Sequence, residues 1–162
     1  FMAITVAGSL ISLQVGLTSA VIFDPAQSGQ APLLSRFIGI AAALVCMALA
    51  VHHLWIEALV RSYGVFPVGA LPPAEDFAML AVRTVGDSFA LGVSLAAPLV
   101  VYGIVFNLAL GLAARIAPAI QVFFIAQPLN LLAGLGVIAA VFGTVLIVFA
   151  EAMRDWMAAG WG

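Results

Sequence analysis

The feature that most constrains this chain is where its charges are missing. Its twelve charged side chains leave uncharged stretches at 1–23, 37–56, 88–114 and 116–150. A helix that crosses ~30 Å of hydrocarbon needs ~20 residues, so each stretch is long enough to span a bilayer. Lipid offers open backbone groups no hydrogen bonds, so such runs are read as helices. Of the 162 residues, 65% are apolar and 7% charged, and the mean hydropathy is +1.26. Soluble domains run at ~45–50% apolar and ~25% charged. A cytosolic enzyme domain, a disordered tail and a nucleic-acid binder are thereby excluded. Five arginines, no lysine and seven acids make no basic surface for phosphates. The single Cys46 excludes an internal disulfide framework and a multi-thiolate zinc site. The expected fold is an all-α, single membrane-type domain over 1–162, built of helical hairpins with kinked or broken helices.

Four helices are expected: A at about 1–22, B at about 33–61, C at about 74–114 and D at about 119–158. Phe1-Met2-Ala3-Ile4 opens inside an apolar run without a basic n-region, so the sequence reads as starting within a helix, with further chain upstream. Helix C begins with Pro72-Pro73-Ala74-Glu75-Asp76, proline first and acids in the first turn. Pro98 should kink it. The 116–150 stretch is too long for one simple crossing. Pro118 and Pro128, with Gly134 and Gly136 beyond, suggest a broken or re-entrant segment followed by a helix from near Leu129. Arginine bias should set orientation, but alternate crossings place Arg36 and Arg115 on one side and Arg61, Arg83 and Arg154 on the other. Two against three sets no orientation.

Small residues recur every four positions at Gly8, Ser12 and Gly16 on helix A, and Gly103, Asn107 and Gly111 do the same on helix C. That spacing lets helix backbones approach closely, and Asn107 could bond across an interface. These faces, and the amides of Gln14 and Gln121, are expected to meet protein rather than lipid. Arg83 and Asp87 are four apart and could pair. Asp87 and Arg115 beside long apolar runs could face a partner or an aqueous cavity, or simply solvent. Neighbouring helical residues point ~100° apart, so His52 and His53 read as an interfacial helix end with Trp55 rather than a metal site. The tail from Glu151 to Trp156 reads as an interface anchor. Phe23-Asp24-Pro25-Ala26-Gln27-Ser28-Gly29-Gln30-Ala31-Pro32 joins A to B. Composition alone makes it a surface linker, with Pro25 holding Asp24 extended and Pro32 able to open helix B.

Several blocks resemble the flagellar biosynthetic protein FliR family: Leu13-Gln14-Val15-Gly16, Phe23-Asp24-Pro25, Pro32-Leu33-Leu34-Ser35-Arg36, His53-Leu54-Trp55 and Phe66-Pro67-Val68-Gly69. Asn107 to Leu112, followed by Arg115-Ile116-Ala117-Pro118 with Pro128 and Gly134 beyond, continues the likeness along the whole chain. Ser9, Ser12 and Ala119-Ile120 depart from the family pattern. The resemblance implies a chain longer at its N-terminus by roughly two helices. It also implies a subunit of the type III protein export gate in the bacterial inner membrane, at the flagellar basal body. Expected partners are P-type and Q-type subunits, larger export-gate membrane subunits, unfolded exported proteins and membrane lipid, without nucleic acid. No cofactor or metal and no enzymatic activity are implied. Within such an assembly the helices stand partly out of the plane of the membrane. The family's pore plug maps onto the A–B loop, domain segment 23–32, with Phe23, Asp24, Pro25, Ala26, Gln27, Ser28 and Gly29 at its heart. Gly8, Ser12, Gly16, Gly103, Asn107 and Gly111 would serve packing or partner contact, and Arg83, Asp87 and Arg115 would lie near a partner or cavity. The rival readings are a fragment of a secondary transporter or channel, which calls for ionisable pairs inside the membrane, and an intramembrane enzyme, for which no nucleophile–base set exists.

Overall fold

A computed structural model describes residues 1–16, 33–65, 74–116 and 122–159. Every element among them is an α-helix: α1 (Met2–Val15), α2 (Leu33–Ala48), α3 (Val51–Val65), α4 (Ala74–Ile116) and α5 (Val122–Ala158). Among the described residues two helices are long and apolar enough to cross a bilayer: Glu75–Ile116 within α4 and Ala126–Ala158 within α5. The bent pair α2–α3 makes a third by length and composition. At 1.5 Å per residue the 43 residues of α4 reach about 64 Å, twice the ~30 Å hydrocarbon core.

The shortest helix sits at the centre. Ile4, Ala7, Ile11 and Val15 recur at three- and four-residue steps and are almost fully buried, and Gly8 and Ser12 fill the positions between them. Around α1 stand α2, α4 and α5. Gly92 of α4 lies against Ala3 and Val6, and Gly103 against Gln14, so α4 runs parallel to α1. Asn130 of α5 meets the Gln14 end of α1 while Phe149 packs on Phe1, so α5 runs antiparallel. Ser35 of α2 sits beside Gly8, and Trp55, beyond the end of α2, packs edge-on to Phe1 with ring centroids 5.7 Å apart. α2 is thus antiparallel to α1 as well. Ile38, Ala42 and Cys46 of α2, Leu95 and Leu99 of α4, and Ile138, Val145 and Phe149 of α5 close the core around the central helix.

Close approach makes this bundle possible. A Cβ placed on Gly8 would stand 2.7 Å from the Ser35 Cα, and one on Gly92 would stand 2.8 Å from the Ala3 carbonyl oxygen. One on Gly134 would stand 2.9 Å from Val15 Cγ2. Apolar side chains gain little by leaving lipid for one another, so backbone proximity and the dispersion contacts it allows hold such helices together. Ser12 Oγ donates to the Gly8 carbonyl at 2.7 Å and Ser35 Oγ to the Thr5 carbonyl at 3.3 Å, leaving neither buried hydroxyl unpaired.

Three boundaries differ from the sequence expectation. Helix A stops at Val15 rather than near 22, because Gly16 takes φ 81° and its N–H turns back to the Ser12 and Leu13 carbonyls. Helix B is broken: α2 and α3 meet at 81° across Leu49 and Ala50. No glycine or proline marks this elbow, and Ala50 holds φ 58°, a conformation costing about 1–2 kcal/mol. Arg154 Nη2 of α5 donates to the Leu49 carbonyl at 2.8 Å, and Val51 is buried immediately beyond. Tertiary contacts therefore hold the bend, and Arg154 reaches the elbow from the tail expected to be an interface anchor. Helix D is continuous from Val122 rather than from near Leu129 and passes through Pro128. In the second turn a proline deprives one carbonyl of its partner, which the remaining turns outweigh. α4 likewise continues through Pro98. Pro118 and Gln121 lie outside the described residues.

Adding a methyl group should separate the two kinds of glycine. Gly8→Ala is expected to lower stability by about 1–3 kcal/mol through overpacking, whereas Gly111→Ala, with nothing within 4 Å, should be neutral or gain up to ~1 kcal/mol from helix propensity. Thermal unfolding of the full-length protein in detergent measures both, and equal shifts would contradict the packing assignment. Gly16→Ala should cost about 1–2 kcal/mol through its left-handed backbone, seen as faster amide exchange in the last turn of α1.

Candidate functional site

The plug positions Phe23, Asp24, Pro25, Ala26, Gln27, Ser28 and Gly29 lie outside the described residues, as does the rest of 17–32. What the structure describes is the place from which that loop departs. α1 ends with orphan carbonyls, as every helix does. Gly16 N–H takes those of Ser12 and Leu13. The Gln14 carbonyl is taken by Asn130 Nδ2 of α5 at 3.2 Å. Asn130 Oδ1 in turn accepts the Tyr102 hydroxyl of α4 at 3.0 Å, and the same hydroxyl lies 3.1 Å from the Asn130 carbonyl oxygen. A carbonyl can only accept, so the amide must turn its NH₂ to Gln14 and its oxygen to Tyr102. One side chain thus ties three helices together at the Gly16 end of α1.

The surroundings fit tightly. Gly103, one residue past Tyr102, makes room for the Gln14 side chain: a Cβ there would collide with Gln14 Oε1 and stand 2.8 Å from its Cδ. Val15 packs on Gly134, one turn beyond Asn130. The Gln127 amide lies beside Gly16. An amide or hydroxyl in an apolar bundle is costly unless paired, so this polar group stabilises one arrangement of the three helices over its neighbours.

The other sequence-selected residues divide by position. Gly8, Ser12 and Gly103 lie in contacts between or within the packed helices. Gly16 acts as a helix cap. Asn107 Nδ2 donates to the Gly103 carbonyl of its own helix at 2.8 Å, not across an interface. Gly111 is exposed with nothing within 4 Å. It belongs to the stretch of α4 that runs past the end of α1, where Ile104, Val105, Leu108, Leu112 and Ile116 are all exposed. Arg115 is exposed in the last turn of α4, favourable for the helix dipole. Arg83 and Asp87 are exposed and form no ion pair with each other; among the described residues the pair that forms is Glu57–Arg61, at 2.8 Å. Asp87 borders a groove of about 640 Å³, walled by Phe1, Trp55, Leu91, Phe149 and Met153, at the opposite end of α1 from Asn130. Among the described residues no group of three or more histidine, cysteine or acidic side chains is placed to hold a metal. Sequence reasoning picked out Gln14 but missed Tyr102 and Asn130; an amide three residues after Gln127 and a lone phenol in otherwise apolar runs were the available signal.

Sequence comparison with known proteins places the chain in a family. Bacterial export proteins, family 1, match residues 1–156. The flagellar biosynthetic protein FliR of Caulobacter vibrioides is 41% identical over 153 residues, covering 94% of this chain and 61% of the relative. Its counterpart in Escherichia coli is 38% identical over 142 residues, 86% of this chain and 54% of the relative. That of Bacillus subtilis is 30% identical over 166 residues, 96% of this chain and 64% of the relative. The chain therefore spans between about half and two-thirds of the length of these relatives. With a family match over nearly its whole length and the relatives collinear with it, the chain belongs to the FliR family of bacterial export proteins.

Proposed function

We propose that this chain belongs to a subunit of the flagellar type III protein export gate, and that its 23–32 loop closes the pore through which unfolded proteins leave. The carrying observation is the family membership: the relatives are named flagellar biosynthetic proteins and the family is one of bacterial export proteins. Two features of the molecule support the finer reading. The segment follows in sequence the most buried helix, whose Gly16 end is held by Asn130. The outer faces of α4 and α5 are apolar along most of their length, with Val101, Ile104, Leu108 and Leu132 among the exposed side chains. Surfaces of that kind suit neighbouring subunits and lipid.

In this reading P-type and Q-type subunits cover the apolar arms, with the larger export-gate membrane subunits beside them, in the inner membrane at the flagellar basal body. Arg83, Asp87 and Arg115 would then face partners or an aqueous cavity. No cofactor and no catalysis are involved. A pore wide enough for unfolded polypeptide leaks ions unless filled. A loop carried on two packed helices can be displaced at modest cost, while the bundle behind it stays folded. The transporter alternative expects ionisable pairs within the bundle. Among the described residues the buried polar side chains are Ser12 and Ser35, both hydrogen-bonded.

Deleting 23–31 in the full-length protein should raise ion leakage through the assembled gate and leave co-purification of its partners intact. Conductance across vesicles or cells carrying the complex measures this. A normal complex with an unchanged leak would refute the plug.

A further inference from the structure

We infer that α3 lies flat on the membrane as an interfacial helix, with Ile56, Leu59, Val60 and Tyr63 sunk among phospholipid headgroups and the first acyl carbons. The inference goes beyond the export reading and does not depend on the plug. α2 runs along the common axis of α1, α4 and α5, and α3 leaves it at 81°. A span needs its length along one axis. The 16 residues of α2 reach about 24 Å, short of the ~30 Å hydrocarbon core, and α3 adds almost nothing in that direction. Length and composition allow the pair to be a third span, but by direction only α2 enters the bilayer.

The charges put the bend at the membrane surface. In α4 they stop at Asp87 and do not return until Arg115, and Gly92, just inside that boundary, lies against Ala3. In α5 they resume at Glu151, two residues after Phe149, which packs on Phe1. Both boundaries therefore fall at the Phe1 end of α1. The elbow is at that level as well: Arg154 donates to the Leu49 carbonyl, and Trp55 packs against Phe1. Trp55 and Trp156 wall the same groove there, and tryptophans gather where hydrocarbon gives way to headgroups.

α3 has the surface that such a position requires. Val51 and Ala58, seven residues apart, are buried against the bundle. The rest of its circumference is divided. Ile56, Leu59, Val60 and Tyr63 recur at steps of three and four residues as one stripe, 59% to 66% exposed. His53, Glu57 and Arg61 recur at steps of four as another, all exposed, with Glu57 and Arg61 paired at 2.8 Å. The first stripe is unfavourable in water and the second is costly in hydrocarbon. A bilayer surface offers acyl chains to the one and water with charged headgroups to the other.

The test uses the full-length protein with its co-purified partners, in vesicles of phosphatidylethanolamine and phosphatidylglycerol. Nitroxide labels on single cysteines replace the residues of the two stripes in turn, in a Cys46→Ala background. Their relaxation by oxygen is compared with that by a water-soluble nickel chelate. Oxygen should dominate at Ile56, Leu59, Val60 and Tyr63, at a depth of about 5–10 Å, and the chelate at His53, Glu57 and Arg61. A photo-crosslinking residue at Leu59 should give lipid adducts. Chelate access along both stripes overturns the inference, because it puts α3 in water. Shielding of the apolar stripe from both reagents, with Leu59 adducts to protein alone, also overturns it and assigns the stripe to a partner subunit. The crosslinker needs no change at Cys46, so it decides the matter if the Cys46→Ala background assembles poorly.

Discussion

How near the backbone of α1 can come to its neighbours decides this structure. In water, burial of Ile4, Ile11 and Val15 would suffice to hold a short helix in place; among apolar helices and lipid it does not. Gly8, Gly92, Gly103 and Gly134 remove the side chains that would otherwise keep α2, α4 and α5 at a distance. The 14-residue α1 therefore lies in a slot between α2, of similar length, and α4 and α5, each about three times as long. Short and enclosed, it makes a rigid stem with a chain connection at its Gly16 end.

Polar groups are then placed where geometry is needed rather than where affinity is. Ser12 and Ser35 bond to carbonyls along the packed faces. Asn130, Tyr102 and Gln14 meet at one end of α1, and Arg154 reaches the Leu49 carbonyl at the α2–α3 elbow. The bonds of Ser12, Ser35 and Asn130 take up donors or acceptors that would be costly if left alone, and each helps specify one arrangement among many equally greasy ones. The stem's two ends differ accordingly. One is fixed by an amide bridge, and the other opens onto the groove beside Asp87 and Trp55.

Much of this was legible in the residues. The uncharged runs located the helices, and Pro72-Pro73 with Glu75-Asp76 located the start of α4. The small-residue spacing at Gly8 and Gly103 marked real close approaches, because a missing Cβ is a local property. The same spacing also selected Gly16 and Gly111, one a cap and the other exposed, since periodicity cannot say which face meets a neighbour. The elbow at Leu49-Ala50 carried no sequence mark. An alanine held at φ 58° is a product of Val51 burial and the Arg154 bond, both long-range. Asn130 showed in the sequence only as an amide in an apolar run, with nothing to say what it meets. Its role comes from lying opposite Gln14, which is 116 residues away. The loop residues from Phe23 to Gly29 were singled out by resemblance alone, and their place in a gate is argued from the stem that carries them.

Where that loop points in the working gate decides whether it plugs the pore. A photo-crosslinking amino acid placed at Gln27 of the full-length protein, in a gate jammed with a partly exported polypeptide, reads this directly. Adducts between position 27 and the polypeptide in transit are the expected result. Adducts confined to lipid, or to surfaces remote from the transiting chain, would contradict it.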